Sequence, residues 1–97
     1  MKFKISLIFN NNSSITGING PDIISIGYSS FWSARGLITA RFSPELSTIG
    51  YGAFYNCSNL ETFYPTYIPN VTELSGYILN CKKLTGDFHF PNLEKIT

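Results

Sequence analysis

Apolar side chains recur along this chain in short words separated by polar stretches. Four six-residue words share the pattern Pro-x-apolar-x-x-apolar: Pro21-Asp22-Ile23-Ile24-Ser25-Ile26, Pro44-Glu45-Leu46-Ser47-Thr48-Ile49, Pro69-Asn70-Val71-Thr72-Glu73-Leu74 and Pro91-Asn92-Leu93-Glu94-Lys95-Ile96. Their prolines are spaced by 23, 25 and 22 residues. A second word follows at a fixed distance. Ile26-Gly27-Tyr28-Ser29-Ser30-Phe31 aligns without a gap on Ile49-Gly50-Tyr51-Gly52-Ala53-Phe54, and the alignment runs on through Ala34 against Cys57 and Leu37 against Leu60. A looser third copy, Leu74-Ser75-Gly76-Tyr77-Ile78-Leu79, leads to Cys81 and Leu84 one residue early.

A unit of this length is one coil of a solenoid. One coil cannot bury its apolar positions alone, so coils stack and share a continuous core. The pattern predicts a repeat solenoid of about four coils of about 23 residues each. Four core columns follow: Leu37, Leu60 and Leu84; Ile23, Leu46, Val71 and Leu93; Ile26, Ile49, Leu74 and Ile96; Phe31 and Phe54 with Leu79 or Ile78. Gly27 and Gly50 suit a sharp bend, because glycine takes positive φ cheaply. The heading prolines suit places where strand pairing stops. Segments 37–43, 60–68 and 84–90 are rich in β-branched and aromatic residues and read as strands forming a short parallel sheet on one face. The opposite side, around 29–33, 52–56 and 76–80, is expected to carry helical or 3-10 turns. Ala40 and Phe42 lie three and five residues after Leu37, whereas Phe88 and Phe90 lie four and six after Leu84. That change of parity requires bulges or register shifts.

At the N-terminus Phe3, Ile5, Leu7 and Phe9 fall at period two between Lys2, Lys4 and Ser6, which reads as a strand. The apolar run Ile5–Phe9 is shorter than the roughly 7–15 residues of a signal peptide's core. The expected organisation is an N-terminal capping strand and loop over residues 1–14, followed by repeats over 15–97, the last one incomplete.

The run Ile49-Gly50-Tyr51-Gly52-Ala53-Phe54-Tyr55-Asn56-Cys57-Ser58-Asn59-Leu60 resembles the BspA-like (Treponema pallidum-type) leucine-rich repeat. That unit reads Ile-Gly-x-x-Ala-Phe-x-x-Cys-x-x-Leu, then an extended segment and a proline. The resemblance covers about residues 15–97. Ala34 replaces the cysteine in one copy, and the third copy lacks the Ala-Phe pair. The resemblance implies a horseshoe segment with a parallel sheet, and a role in adhesion and protein binding, for the most part on the bacterial surface or outside the cell. It brings no catalytic residues.

Composition narrows the classes. Of the 97 residues, 43% are apolar and only 13% charged, with a net charge of +1. Disorder is disfavoured, and no basic patch marks a nucleic-acid or anionic-membrane partner. No stretch approaches the roughly 20 apolar residues of a membrane span.

Candidate chemistry is sparse. Cys57 and Cys81 hold equivalent places in adjacent copies and would be neighbours in a stack, either as buried thiols or as a disulfide. Ala34 at the same place favours thiols. A zinc site takes about four ligands, more than two cysteines and His89 supply. His89 follows Asp87 by two residues, so a strand would turn both the same way, as an oriented base or, more simply, as an exposed polar pair. No nucleophile motif or phosphate loop is present. Asn56-Cys57-Ser58 and Asn70-Val71-Thr72 match the N-glycosylation sequon, a frequent chance match. No catalytic residue, cofactor or metal is therefore expected.

The aromatics are more telling. Trp32, Tyr28, Tyr51, Tyr55, Tyr64, Tyr67 and Tyr77 exceed the needs of four core columns, and such side chains favour interaction surfaces. Tyr64 and Tyr67 lie in Glu61–Ile68, two residues longer than its counterparts, and such insertions commonly map to a binding face. Arg41, Tyr64, Tyr67 and His89 are the candidate binding residues. The chain stops at Thr97, just after the fourth Ile-column position. Three expectations follow: a piece of a longer array, a half-repeat cap, or an open end that docks on another chain, including a copy of itself. The leading expectation is a non-enzymatic interaction or adhesion module for another protein or a surface ligand; the alternative is an assembly subunit stacking through its open end.

Overall fold

A computed structural model describes residues 2–5, 8–78 and 80–97. They form eight short strands: β1 (Phe3–Ile5), β2 (Gly17–Gly20), β3 (Ile23–Ile26), β4 (Thr39–Phe42), β5 (Thr48–Ile49), β6 (Thr62–Tyr64), β7 (Glu73–Leu74) and β8 (Lys95–Ile96). All pairing is parallel and joins one coil to the next. β1, β3 and β5 make one sheet, β2, β4 and β6 a second, and β7 pairs with β8. The registers Gly17↔Thr39, Thr39↔Thr62, Ser25↔Thr48 and Glu73↔Lys95 each advance by one repeat. The chain is a β-solenoid of about four coils, as its period demands.

The columns form as expected in the middle of the stack. Ile26, Ile49 and Leu74 are buried, as are Leu46 and Val71, and Leu37 and Leu60. Phe31 and Phe54 stack face to face at 4.9 Å, and Phe9 continues the pile on Phe31 at 5.1 Å. Phe54 N–H donates to the Tyr77 carbonyl as Phe31 N–H donates to Ala53, which places half-buried Ile78 in the Phe column. Leu79, the alternative occupant, lies outside the described residues. Toward the C-terminus the columns thin: Leu84 and Leu93 are half-buried and Ile96 is 74% exposed.

The side opposite β2–β4–β6 differs from expectation. No helix occurs among the described residues; segments 29–33 and 52–56 are chained turns, and the described residues of 76–80 are bends and turns. The reason is local. Ser29, Gly52 and Gly76 have φ of 51°, 64° and 55°, and Asn11, Ser33, Asn56 and Asn80 have 58°, 56°, 65° and 64°. A left-handed residue at each end of a four-residue step breaks any helix. Alternate donors then divide. Ser30, Trp32 and Ala34 N–H donate within the coil to Gly27, Ser29 and Phe31 carbonyls, while Ser29, Phe31 and Ser33 N–H donate to Tyr51, Ala53 and Tyr55 of the next coil. A helix would keep all these bonds within one coil; here half of them tie the stack together.

Three further expectations are corrected. The parallel pairing is not confined to one face, since β1–β3–β5 and β7–β8 run along the Ile column. Positive φ falls at Gly52, Gly76 and Gly86 and not at Gly27 or Gly50. Gly50 is needed for close approach instead, because a Cβ there would stand 2.5 Å from Tyr28 N. The N-terminal strand is Phe3–Ile5; Ser6 and Leu7 lie outside the described residues, and Ile8–Asn11 turn so that Phe9 enters the Phe column. The expected parity change occurs in the long connection. Phe63 points inward and Tyr64 outward, then Thr66 and Tyr67 are both exposed before buried Ile68. The Tyr64–Pro65 peptide in this connection is cis.

Candidate functional site

Strand alternation builds the outer face of the β2–β4–β6 sheet. Ala40 and Phe42 of β4 and Phe63 of β6 face the core, so Thr39, Arg41, Thr62 and Tyr64 face outward. Asn19, Arg41 and Tyr64 are register partners across three coils. The Arg41 guanidinium carbon lies 4.6 Å from the centre of the Tyr64 ring, within cation–π reach. Beyond the insertion, Tyr67 pairs with His89 through a parallel bridge. His89 N–H donates to Thr66 O at 2.8 Å and Ile68 N–H donates to His89 O at 2.8 Å. Tyr67 is 61% exposed and its bridge partner His89 is exposed too. The four candidate residues thus fall into two pairs, Arg41 and Tyr64 through their side chains and Tyr67 and His89 through their backbones. Before the insertion the strand pairs back to β4; after it the chain pairs forward to His89.

Asp87 and His89 are both exposed, and among the described residues no hydrogen bond joins them. Both cysteines are free thiols. Cys57 Sγ donates to Phe31 O at 2.9 Å and Cys81 Sγ to Phe54 O at 3.0 Å, so each bonds the coil before it. The adjacent Cys81 thiol and burial push the Cys57 thiol well up, so it is protonated at neutral pH. Burial pushes Tyr77 up to about 12. Among the described residues no cluster of three or more His, Cys, Asp or Glu is placed to hold a metal, and no helix is long and apolar enough to cross a membrane.

Two features escaped the sequence reading. Tyr28 stacks on Tyr51 at 5.8 Å and Trp32 on Tyr55 at 4.3 Å, giving a second aromatic surface on the turn side. Both pairs sit one repeat apart, a signal present in the spacing. Near Tyr51 a groove of about 400 Å³ opens between β5 and β7.

A family model described as "BspA type Leucine rich repeat region (6 copies)" matches residues 6–97. This chain belongs to that family. No curated protein and no solved structure matched in the parallel comparisons. The BspA-type repeat accounts for the side chains at the Ile, Phe, Cys and Leu columns, and each is a packing position. Family membership suggests a protein-interaction repeat module and assigns no side chain to catalysis. The side chains that face away from the columns are not accounted for by the repeat's packing.

Proposed function

We propose that this BspA-type repeat segment is a non-enzymatic interaction module of the adhesion type. It engages another protein or a surface ligand through the outer face of β2–β4–β6. Arg41, Tyr64, Tyr67 and His89 make the contact, and residues 1–14 cap the N-terminal coil. One observation carries the reading. Arg41 stacks on exposed Tyr64, and beyond the insertion Tyr67 and His89, paired through their backbones, are both exposed. Arginine and tyrosine are enriched among the residues that dominate the energetics of protein interfaces, because they bring large area and directed polar groups. No cofactor or metal enters this reading. The family's usual setting supports a module that works outside the cell or on its surface.

The test is capture on immobilised full chain from an extracellular-matrix or host-surface protein mixture, comparing wild type with the Tyr64→Ala/Tyr67→Ala variant. The variant is expected to lose most of the captured protein. Equal capture by both removes this face from the proposal.

A second reading is an assembly subunit. It rests on β8, which among the described residues pairs with β7 alone, and on the 74% exposure of Ile96. Stacking a second copy on that edge would continue the core. Solution mass across a concentration series separates the two readings: mass that stays monomeric throughout counts against assembly.

A further inference from the structure

Across the coil from the Tyr64–Tyr67 connection, strand pairing is interrupted. β5 pairs back to β3 and β7 pairs forward to β8, but among the described residues no backbone hydrogen bond joins β5 to β7. The parted strands leave the groove of about 400 Å³, a volume in the range of small-molecule sites. Its lining is unlike the mostly apolar wall of such sites. Thr48, Thr72 and Ser75 contribute hydroxyls, Glu73 a carboxylate and Tyr51 a ring, over a floor at Ile49 and Gly50. Tyr51 is 54% exposed and is held by its stack on Tyr28. Glu73 is exposed, and among the described residues it forms no ion pair, although Lys95 is its register partner. Ser75 hydroxyl is already bonded to Thr97 and Ser47 hydroxyl to Ile24 O, so among the described residues Thr48, Thr72 and Glu73 are lining side chains whose hydroxyls or carboxylate remain free.

A rigid aromatic face beside a carboxylate and hydroxyls matches one ligand chemistry. A pyranose ring has an apolar C–H face and an equatorial rim of hydroxyls. The face stacks on an aromatic ring, and two adjacent hydroxyls donate to one carboxylate in the bidentate manner that carboxylates accept. A net charge of +1 and the absence of a basic cluster in the lining disfavour phosphate or sulfate groups on the ligand. We propose that the β5–β7 groove binds a neutral oligosaccharide, with Tyr51 packing on one ring face, Glu73 accepting from vicinal hydroxyls, and Thr48 and Thr72 bonding the rim. The groove is separate from the Arg41–Tyr64 face, so failure of either assignment leaves the other standing.

The test is an amide NMR titration of the full chain with cellotriose, maltotriose and chitotriose. At least one is expected to bind in the millimolar range and to shift the Thr48, Gly50, Tyr51, Glu73 and Ser75 amides. Tyr51→Ala should weaken that binding about tenfold, the equivalent of one aromatic stacking contact. Glu73→Gln, which keeps the shape but loses the charge, should weaken it several-fold. Tyr64→Ala should leave it unchanged. Spectra of the variants outside the groove report whether each is folded, and Glu73→Gln is the second variant should Tyr51→Ala be misfolded. The proposal is overturned if no groove amide moves with any of the three sugars, if the shifts cluster on β4 and β6, or if folded variants bind as wild type does.

Discussion

Gly52 shows how a single position couples backbone and packing. It has φ of 64°, and a Cβ added there would stand 2.5 Å from the Trp32 ring. Ser29 occupies the same place one coil earlier at φ 51°, so the left-handed conformation alone does not demand glycine. The ring does. Gly52→Ala is expected to destabilise by about 2 kcal/mol, combining residual backbone strain with displacement of Trp32 from Tyr55. The Gly52→Ala/Trp32→Ala double variant should cost less than the sum of the two single changes, as read by urea denaturation. Strict additivity would contradict the contact. Cys57 supplies a pH signature at the same scale. Its folded pKa lies above the ordinary 9.0, and Tyr77 is pushed from 10.0 to about 12. Above pH 9.0 the unfolded chain releases the Cys57 proton and the folded chain keeps it, so the unfolded state binds fewer protons and stability falls as pH rises. Tyr77 adds to the fall from pH 10.0 until its folded pKa is passed. Urea midpoints should therefore drop above pH 9.0, and Cys57→Ala should delay the onset to about pH 10.0. Ala34 already fills this column in the preceding coil, so Cys57→Ala at neutral pH should cost only about 1 kcal/mol.

The elements differ in how far they can be read from residues alone. The Ile, Leu and Phe columns are legible because burial imposes a fixed period on apolar side chains. Arg41 and Tyr64 are legible as outward residues because Ala40, Phe42 and Phe63 set the alternation. The turn face is not, because its structure depends on Ser29, Ser33, Asn56 and Asn80 taking positive φ, and serine and asparagine do so only in context. Read locally, those segments look like one turn of helix. Stacking makes a different pattern cheaper, in which alternate N–H groups leave the coil. The groove also lies beyond sequence reading, since nothing in residues 48–51 or 72–75 marks the place where pairing between adjacent coils is interrupted. Hydrogen exchange distinguishes the two descriptions of the turn face. Phe31 and Phe54 amides, which bond the next coil from buried positions, should exchange about as slowly as the best-protected amides of β3. Fast exchange at both would mean that the inter-coil ladder on this face does not hold.

At the scale of the whole molecule, a solenoid's stability is close to a sum of coil terms and nearest-neighbour interfaces. One column tests this directly. Ile26, Ile49 and Leu74 are buried between neighbours, whereas Ile96 has β7 on one side only and is 74% exposed. Ile49→Ala removes a side chain packed on both sides and should cost about 2–5 kcal/mol. The same change at Ile96 removes a few half-solvated contacts and should cost under about 1 kcal/mol. The end should also open locally: Lys95 and Thr97 amides, bonded to Thr72 and Leu74, should exchange well before those of β3 and β4. Denaturation of dilute chain at equal protein concentration compares the two substitutions under the same conditions. If Ile96→Ala costs as much as Ile49→Ala and its cost grows with protein concentration, the bare end is covered in solution by a second copy. The assembly reading would then displace the isolated module. A small, concentration-independent cost counts against the assembly reading.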